Sequence, residues 1–327
     1  MSEIRFISSS DEHLSDLSPG FRKDDYRDAI LNKMEWQGEF ARKFRTDGIL
    51  RGGDLFHVKA ANKTTMMSLS RVASVHRGYP CPTYAIVGNH DMARNDPNSV
   101  IRQPIEVLFK SDVLYRLEDE LFIDGSMSVR VVGVDYSTDL DYDALCSRIR
   151  KKDETYTIAV IHALAANAPE DKIQKFFSER IFDYRDLVFS GCPDVYIFGH
   201  YHKDQGISDV HGVKFVNLGA ISRGALTFEN LERKPKVCSI VCNSSGISLE
   251  EHEIPCADAA QVFDLKKKER LDKERTDLDD FIQKFKADAS FGGGDIKGKM
   301  DVFQKSDYPS ELKKLVLEIL ETAESEV

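Results

Sequence analysis

Aspartate, asparagine and histidine recur at the ends of short apolar runs throughout the first two hundred residues. Of nine histidines in 327 residues, five lie in four such segments: Ser-Ser-Asp11-Glu12-His13, Gly-Gly53-Asp54-Leu-Phe-His57, Gly88-Asn89-His90-Asp91 and Gly199-His200-Tyr201-His202. A fifth segment, Ala-Val-Ile-His162, adds one more histidine. Carboxylates, a carboxamide and imidazoles are the donors that two-metal hydrolysis of a phosphate ester requires. That reaction needs a nucleophile at neutral pH, neutralisation of the phosphoryl oxygens and help for the leaving oxygen. Two divalent cations ~3.5–4 Å apart supply the first two by acidifying a bridging water and clamping the phosphate.

One carboxylate must touch both cations, and Asp54 is the candidate, with one oxygen for each. Asp11, His13 and His202 complete the first site, and Asn89, His162 and His200 the second. Neutral imidazole with carboxylate suits manganese, iron or zinc better than magnesium or calcium. His90 is adjacent to Asn89, and neighbours at a strand end point apart. It is therefore assigned to the substrate side as protonated general acid or phosphate contact, with Asp91 orienting its ring.

Such residues meet only if the fold gathers them, and in open α/β sheets ligands collect at the carboxyl ends of strands. The apolar runs supply those ends. Ile4–Ser9, Gly48–Arg51, Thr83–Val87, Leu114–Leu117, Val129–Val134, Thr157–Ile161 and Asp194–Phe198 read as strands. Helical periodicity covers residues 26–45, 60–77, 99–110 and 139–150. Val213–Leu218, Val237–Cys242 and Ile247–Ile254 follow as strands without intervening helices. The alternation predicts an α/β fold, a four-layer α/β/β/α sandwich of two facing sheets.

Composition changes near residue 257. Residues 1–256 are read as the catalytic domain and 257–327 as a helical tail with a Gly-rich break at Phe291-Gly-Gly-Gly-Asp. The stripe Leu312, Leu315, Val316, Ile319 and Leu320 is too broad to stay in water, so the last helix packs on its own domain or on a partner. Gly293 to Lys299 matches a phosphate-binding loop in spacing, but Met300 replaces the required hydroxyl residue and no strand precedes it, so it reads as a hinge.

A net charge of −10 argues against DNA binding by bulk electrostatics, although a local basic rim and the metals themselves suffice. Arg51, Lys59, Arg94, Lys203 and Arg223 adjoin the metal segments. They read either as a cleft rim holding a phosphodiester backbone or as solvated surface. The six cysteines show no paired zinc-type spacing and read as free thiols. No apolar run reaches the ~20 residues needed to span a bilayer, and the start lacks a signal-peptide layout. A cytoplasmic or nucleoid-associated protein is expected. His76, His211 and His252 fall outside the ligand segments and read as surface or turn residues.

Taken in order, Asp11-x-His13, Gly53-Asp54, Gly88-Asn89-His90-Asp91, His162 and Gly199-His200-x-His202 resemble the full signature of the calcineurin-like metallophosphoesterases, over residues 4–220. Gly52-Gly53-Asp54-Leu55-Phe56-His57 further resembles DNA repair exonucleases of the SbcD type. The resemblance implies Mn²⁺-dependent trimming of DNA ends from 3′ to 5′, with possible nicking of single strands. It also implies an SbcC-like coiled-coil ATPase partner or a homodimer served by the tail. By the same resemblance His57 lies near the scissile phosphate; the alternative is that it only orients Asp54. Asn217-Leu218-Gly219-Ala220-Ile221-Ser222-Arg223 is similar to the segment that follows the last ligand in that family, with Leu218 in place of its proline. Glu12 stands where a small residue is usual. The rival enzyme reading is a phosphodiesterase or phosphatase acting on a small nucleotide or other small ester. A third reading, a scaffold that has lost its chemistry, requires missing ligands, and none is missing.

Overall fold

A computed structural model describes residues 2–57, 64–167 and 179–273. In chain order the strands are β1 (Glu3–Ser9), β2 (Gly48–Arg51), β3 (Thr83–Ala85), β4 (Tyr115–Arg116), β5 (Asp119–Asp124), β6 (Met127–Val134) and β7 (Tyr156–His162). There follow β8 (Ala165–Ala166), β9 (Phe182–Asp183), β10 (Val195–Gly199), β11 (Gly206–Val210), β12 (Val213–Asn217), β13 (Lys236–Asn243) and β14 (Gly246–Glu253). The helices that matter here are α1 (Tyr26–Phe44), α2 (Met66–Arg77), α3 (Pro104–Lys110) and α4 (Tyr142–Ile149).

Two six-stranded sheets form, ordered β14-β13-β1-β2-β3-β4 and β11-β12-β10-β7-β6-β5. Alternation along each strand explains why they face each other. Phe6, Leu50, Val129, Val131, Ile158, Val160, Cys238 and Ile240 point into one apolar cluster between the sheets. Their neighbours point outwards: Ile7 and Ile49 pack with Ala41 of α1, and Val132, Ala159 and Ile161 pack with Leu145 and Ile149 of α4. Each fully buried aliphatic or aromatic side chain stabilises this arrangement by roughly 1.5–3 kcal/mol. Helices on both outer faces complete a four-layer α/β/β/α sandwich.

Local chemistry sets the helix ends. Asp25 caps α1 by accepting from Asp28 N at 2.9 Å, and Arg45 closes it in the left-handed region at φ 57°. The helix expected over 99–110 is instead a 3₁₀ segment, Pro97–Arg102, followed by α3. Gln103 is extended at φ −100°, ψ 159°, because the ring of Pro104 disfavours a helical residue before it. β5 has no counterpart among the expected strands. Its acidic ends and its position at the edge, paired only with β6, leave Leu121 and Ile123 exposed and remove the usual burial pattern. His76 is buried in α2 with its Nδ1 on Val72 O at 2.9 Å, not on the surface, since the inner face of the helix continues to its last turn.

A first compact unit spans Met1–Phe263, and Asp264 opens a second. Residues 257–263 are tied to the first unit: Lys23 N donates to Val262 O at 3.0 Å, and the Arg22 guanidinium lies 5.4 Å from the centre of the Phe263 ring. Within the second unit, Asp264–Lys273 are described, and the Gly-rich break, the loop-like Gly293–Lys299 run and the last apolar stripe lie outside the described residues. Among the described residues, no helix is long and apolar enough to cross a membrane.

Candidate metal centre

The parallel strands β1, β2 and β3 of one sheet and β7 and β10 of the other deliver their carboxyl ends to a common rim. The loop after β1 is laid on the loop after β2: Asp11 N donates to Gly53 O, His13 N to Asp54 O and Leu14 N to Leu55 O, at 3.1, 2.9 and 2.9 Å. Asp11 in turn accepts from His200 N at 3.1 Å, which ties the end of β10 to the other sheet. Asp11, His13, Asp54 and His200 all have positive φ (58°, 47°, 55° and 88°). A non-glycine residue held there costs ~1–3 kcal/mol, and such strain concentrates at functional sites. Gly53, at φ 89°, admits this packing, because a Cβ on it would sit 2.5 Å from His162 Nδ1. A Cβ on Gly88 would collide with the Asp54 carboxylate.

Donor atoms of Asp11, His13, Asp54 and His202 lie within 4.8 Å of one another, and so do those of Asp54, His162 and His200. Asp54 is common to both groups. Its Oδ2 is buried without a hydrogen-bond partner, 3.6 Å from His13 Nε2 and 3.5 Å from His162 Nε2. Asn89 joins the second group, with Oδ1 3.2 Å from His162 Nε2. Proton bookkeeping favours cations here. His162 Nδ1 is within 2.7 Å of Gly52 O, so this nitrogen donates to that carbonyl, and Nε2 is the ring nitrogen that faces Asp54 and would hold a cation once its own proton is displaced. His13 Nε2 and His202 Nε2 are 2.8 Å apart, a separation that suits two lone-pair donors sharing an acceptor.

The electrostatics agree. Burial, reinforced by Asp54, pushes Asp11 up to about 7. Burial also opposes ionisation of Asp54, but the imidazoles of His162, His13 and His90 outweigh it and hold the carboxyl well below the usual range. Burial drives His13 far below its ordinary value, and desolvation within the cluster lowers His202 as well, although its side chain is 52% exposed. Burial works against a charge on His162 as well, yet Asp54 raises it to about 9. Buried carboxylates facing mostly neutral imidazoles are short of positive charge, and divalent cations satisfy that shortage. The side chains present fit such ions.

A third group, His13, His57 and His90, also brings donor atoms within 4.8 Å. His57 is exposed and its ring stacks on that of His90, centroids 5.1 Å apart at 14°. His90 N donates to Asp54 Oδ1 at 2.7 Å, and its Nδ1 lies 3.1 Å from His57 O. Asp91 does not orient the His90 ring. Its carboxylate turns inward and accepts from Phe56 N, Gly88 N and Leu55 N at 2.9, 3.1 and 3.3 Å, because these buried backbone donors have no other acceptor nearby.

The cations divide. Arg51 is not at a cleft rim: it is fully buried and pairs with Glu12, with further bonds to Gln37 and Tyr79 at 3.0 Å each. Glu12, between Asp11 and His13, thus points into the core rather than at a metal. Arg223 is likewise buried, with its guanidinium on Ala257 O. Arg94 and Lys203 are exposed, and Lys59 lies outside the described residues.

Two residues escaped the sequence reading. Glu179 accepts from Tyr136 OH at 3.0 Å and lies 2.9 Å from His200 Nε2, so it fixes that imidazole. Tyr136 follows the end of β6, the same positional signal that marked the other segments. Glu179 sits in a charged stretch with no such signal.

The calcineurin-like phosphoesterase family model matches residues 4–204. The chain belongs to the calcineurin-like phosphoesterases. Comparison with curated proteins gives no match. Similar solved structures include GAP50, the anchor in the inner membrane complex of Plasmodium, at 13% identity and TM-score 0.48, covering 80% of this chain and 91% of that one. TT1561 of Thermus thermophilus is also similar at 13% identity and TM-score 0.44, covering 77% and 99%. A third is the purple acid phosphatase PPD1 from yellow lupin (Lupinus luteus) seeds, at 13% identity and TM-score 0.47. It is covered over 79% of this chain and 53% of its own, so the phosphoesterase spans about half of that enzyme. Metal-dependent phosphoester hydrolysis is the chemistry of this family, and the phosphoesterase carries a donor set suited to divalent metals.

Proposed function

We propose that this phosphoesterase hydrolyses phosphodiester bonds of DNA as an SbcD-like exonuclease, with two manganese ions held by Asp11, His13, Asp54 and His202 and by Asp54, Asn89, His162 and His200. When bound, the cations supply an acidified water and neutralise charge on the phosphate. The chain's own residues do the rest. Asp54, common to both donor groups, would hold both ions. His162, its Nδ1 proton held by Gly52 O, and His200, held by Glu179, present fixed lone pairs. His90, kept in place by Asp54 Oδ1 and by His57 O, is the proton donor to the leaving oxygen.

The observation that carries the nuclease reading is the stacked His57–His90 pair beside His13. These two imidazoles lie outside the Asp54-centred groups; the resemblance to SbcD-type enzymes implies a contact to the scissile phosphate for His57, and His90 beside it takes the leaving-group side. A coiled-coil ATPase subunit or a second copy, engaged through the tail after residue 257, is the corresponding proposal for partners, and a cytoplasmic or nucleoid-associated location is the corresponding proposal for place.

The test is incubation of purified protein and Mn²⁺ with end-labelled DNA and, in parallel, with a chromogenic phosphodiester and a phosphomonoester. Progressive shortening of DNA that disappears in Asp54→Ala is the expected result. Turnover of the small esters with intact DNA would replace this reading by a small-molecule phosphoesterase.

A further inference from the structure

Away from the metal centre, the start of α1 and the segments around residues 223 and 256 line a half-open cavity of about 410 Å³. Lys33, Arg22 and Arg223 line it. Lys33 and Arg223 are each only 4% exposed. Lys33 Nζ donates to Ile221 O at 2.8 Å, and Arg22 donates to Arg223 O at 2.7 Å. The Arg223 guanidinium reaches Ala257 O, while its Nε is buried without a partner.

The carboxylates of the same wall are held by groups other than Lys33 and Arg223. Asp24 pairs with Arg22 at 2.6 Å, Asp25 caps α1, and Asp28 pairs with Arg71. Among the described residues no carboxylate comes within ion-pair distance of Lys33 or Arg223. Backbone carbonyls offset only part of a buried charge, and an ammonium or guanidinium without a counter-ion is costly in such a place. Burial pushes Lys33 down to about 7; Cys256 opposes it, and the neighbouring Arg223, Arg22 and Arg233 each add a smaller push downwards. That is the state of an ammonium short of negative charge. Guanidinium groups favour phosphate because their fork of donors matches its oxygens.

We propose that this cavity is a second binding site, separate from the metal centre, for a small molecule bearing a phosphate dianion, held by Lys33 and Arg223. With Lys33 protonated on arrival of the anion, it and Arg223 match two negative charges, and the cavity leaves room beyond a phosphate group for a small organic remainder. None of its lining residues is a metal-ligand candidate. Yet Ile221 N donates to Ser10 O and Ser222 N to Asp11 O, at 3.1 and 3.3 Å. The segment whose carbonyl is held by Lys33 therefore also braces the Asp11 loop, and an occupant can stiffen that loop without touching substrate. The proposal does not depend on the nuclease reading.

Cys256 lines the cavity and is half-buried; Cys192 has similar exposure elsewhere and serves as the internal control, with Cys81, whose thiol burial pushes up to about 12, as a slow-reacting third site. The experiment follows alkylation of all three by iodoacetamide in the full chain, using peptide mass spectrometry. It is run manganese-loaded and after chelation, with inorganic phosphate or glycerol 2-phosphate up to ~10 mM, above the millimolar Kd of a weak anion site. Potassium chloride of equal ionic strength sets the baseline. Several-fold slowing at Cys256 alone, by either phosphate compound and in both metal states, is expected. Lys33→Met, and Ala29→Phe, which fills the cavity from α1, should abolish the phosphate dependence. Ala29→Phe keeps the test decisive if Lys33→Met does not fold. An unchanged Cys256 rate, equal slowing at all three cysteines, protection confined to the manganese-loaded protein, or full protection in folded Lys33→Met or Ala29→Phe would each overturn the proposal.

Discussion

His90 and Asp91 are neighbours in sequence and opposites in environment. The His90 ring faces His13 and His57, whereas the Asp91 carboxylate accepts from two backbone donors of the loop after β2 and one of the loop after β3. If His90 donates the leaving-group proton, His90→Ala should lower kcat by roughly 10²–10⁴-fold while elemental analysis still finds metal near the wild-type ratio. Loss of both metals in that variant would reassign His90 to the ligand set. The pair of Arg51 with Glu12 belongs to the core, with both side chains at 0% exposure. Removing one partner of a buried ion pair typically costs ~3–5 kcal/mol, because the other charge is left unpaired. Arg51→Met should therefore unfold at distinctly lower urea, and adding Glu12→Leu should restore much of the loss. An unshifted midpoint in Arg51→Met would show the pair to be dispensable. Sequence alone could not distinguish a buried arginine from a rim arginine, since Arg51 adjoins a metal segment either way.

At the scale of elements, strands with clean alternation were legible, and so were the edges β4 and β14, whereas the edges β5 and β11 were not. β1, β2, β6 and β7 carry residues that point into two different clusters, and that period is visible in the chain. β5, with aspartate at both ends and one neighbour, shows no such period. The candidate site was readable for a related reason: its donors follow apolar runs directly, so a rule about strand ends finds them. Glu179 reaches His200 from a segment the rule does not cover. Helix α2 supplies a pH-dependent prediction through His76. Burial, with Arg51 nearby, holds this imidazole down to about 3, against an ordinary value of 6.5. The unfolded chain therefore takes up a proton that the folded one refuses. Stability from this source is complete above ~6.5 and declines as pH falls towards ~3, by an amount on the order of a few kcal/mol. Urea melts across that range should show a shallower decline for His76→Leu than for the wild type. Parallel slopes would mean that His76 is not buried neutral.

For the whole molecule, the facing sheets form a rigid frame whose one rim collects negative charge and strained backbone. Four candidate ligands hold positive φ, and two carboxylates share a buried space with mostly neutral imidazoles. A frame of this kind is more stable with its cations than without them. Ligand linkage sets the size at about 2.7 kcal/mol for a site at a hundredfold excess over its Kd. Chelation should lower Tm by several degrees and Mn²⁺ should restore it, whereas a Tm indifferent to chelator would deny that the native state binds metal. Anomalous diffraction at the manganese edge, from crystals grown with Mn²⁺, addresses the central claim most directly. Two peaks ~3.5–4 Å apart, with the Asp54 carboxylate between them, are expected. A single peak, or none within reach of Asp54, would contradict it.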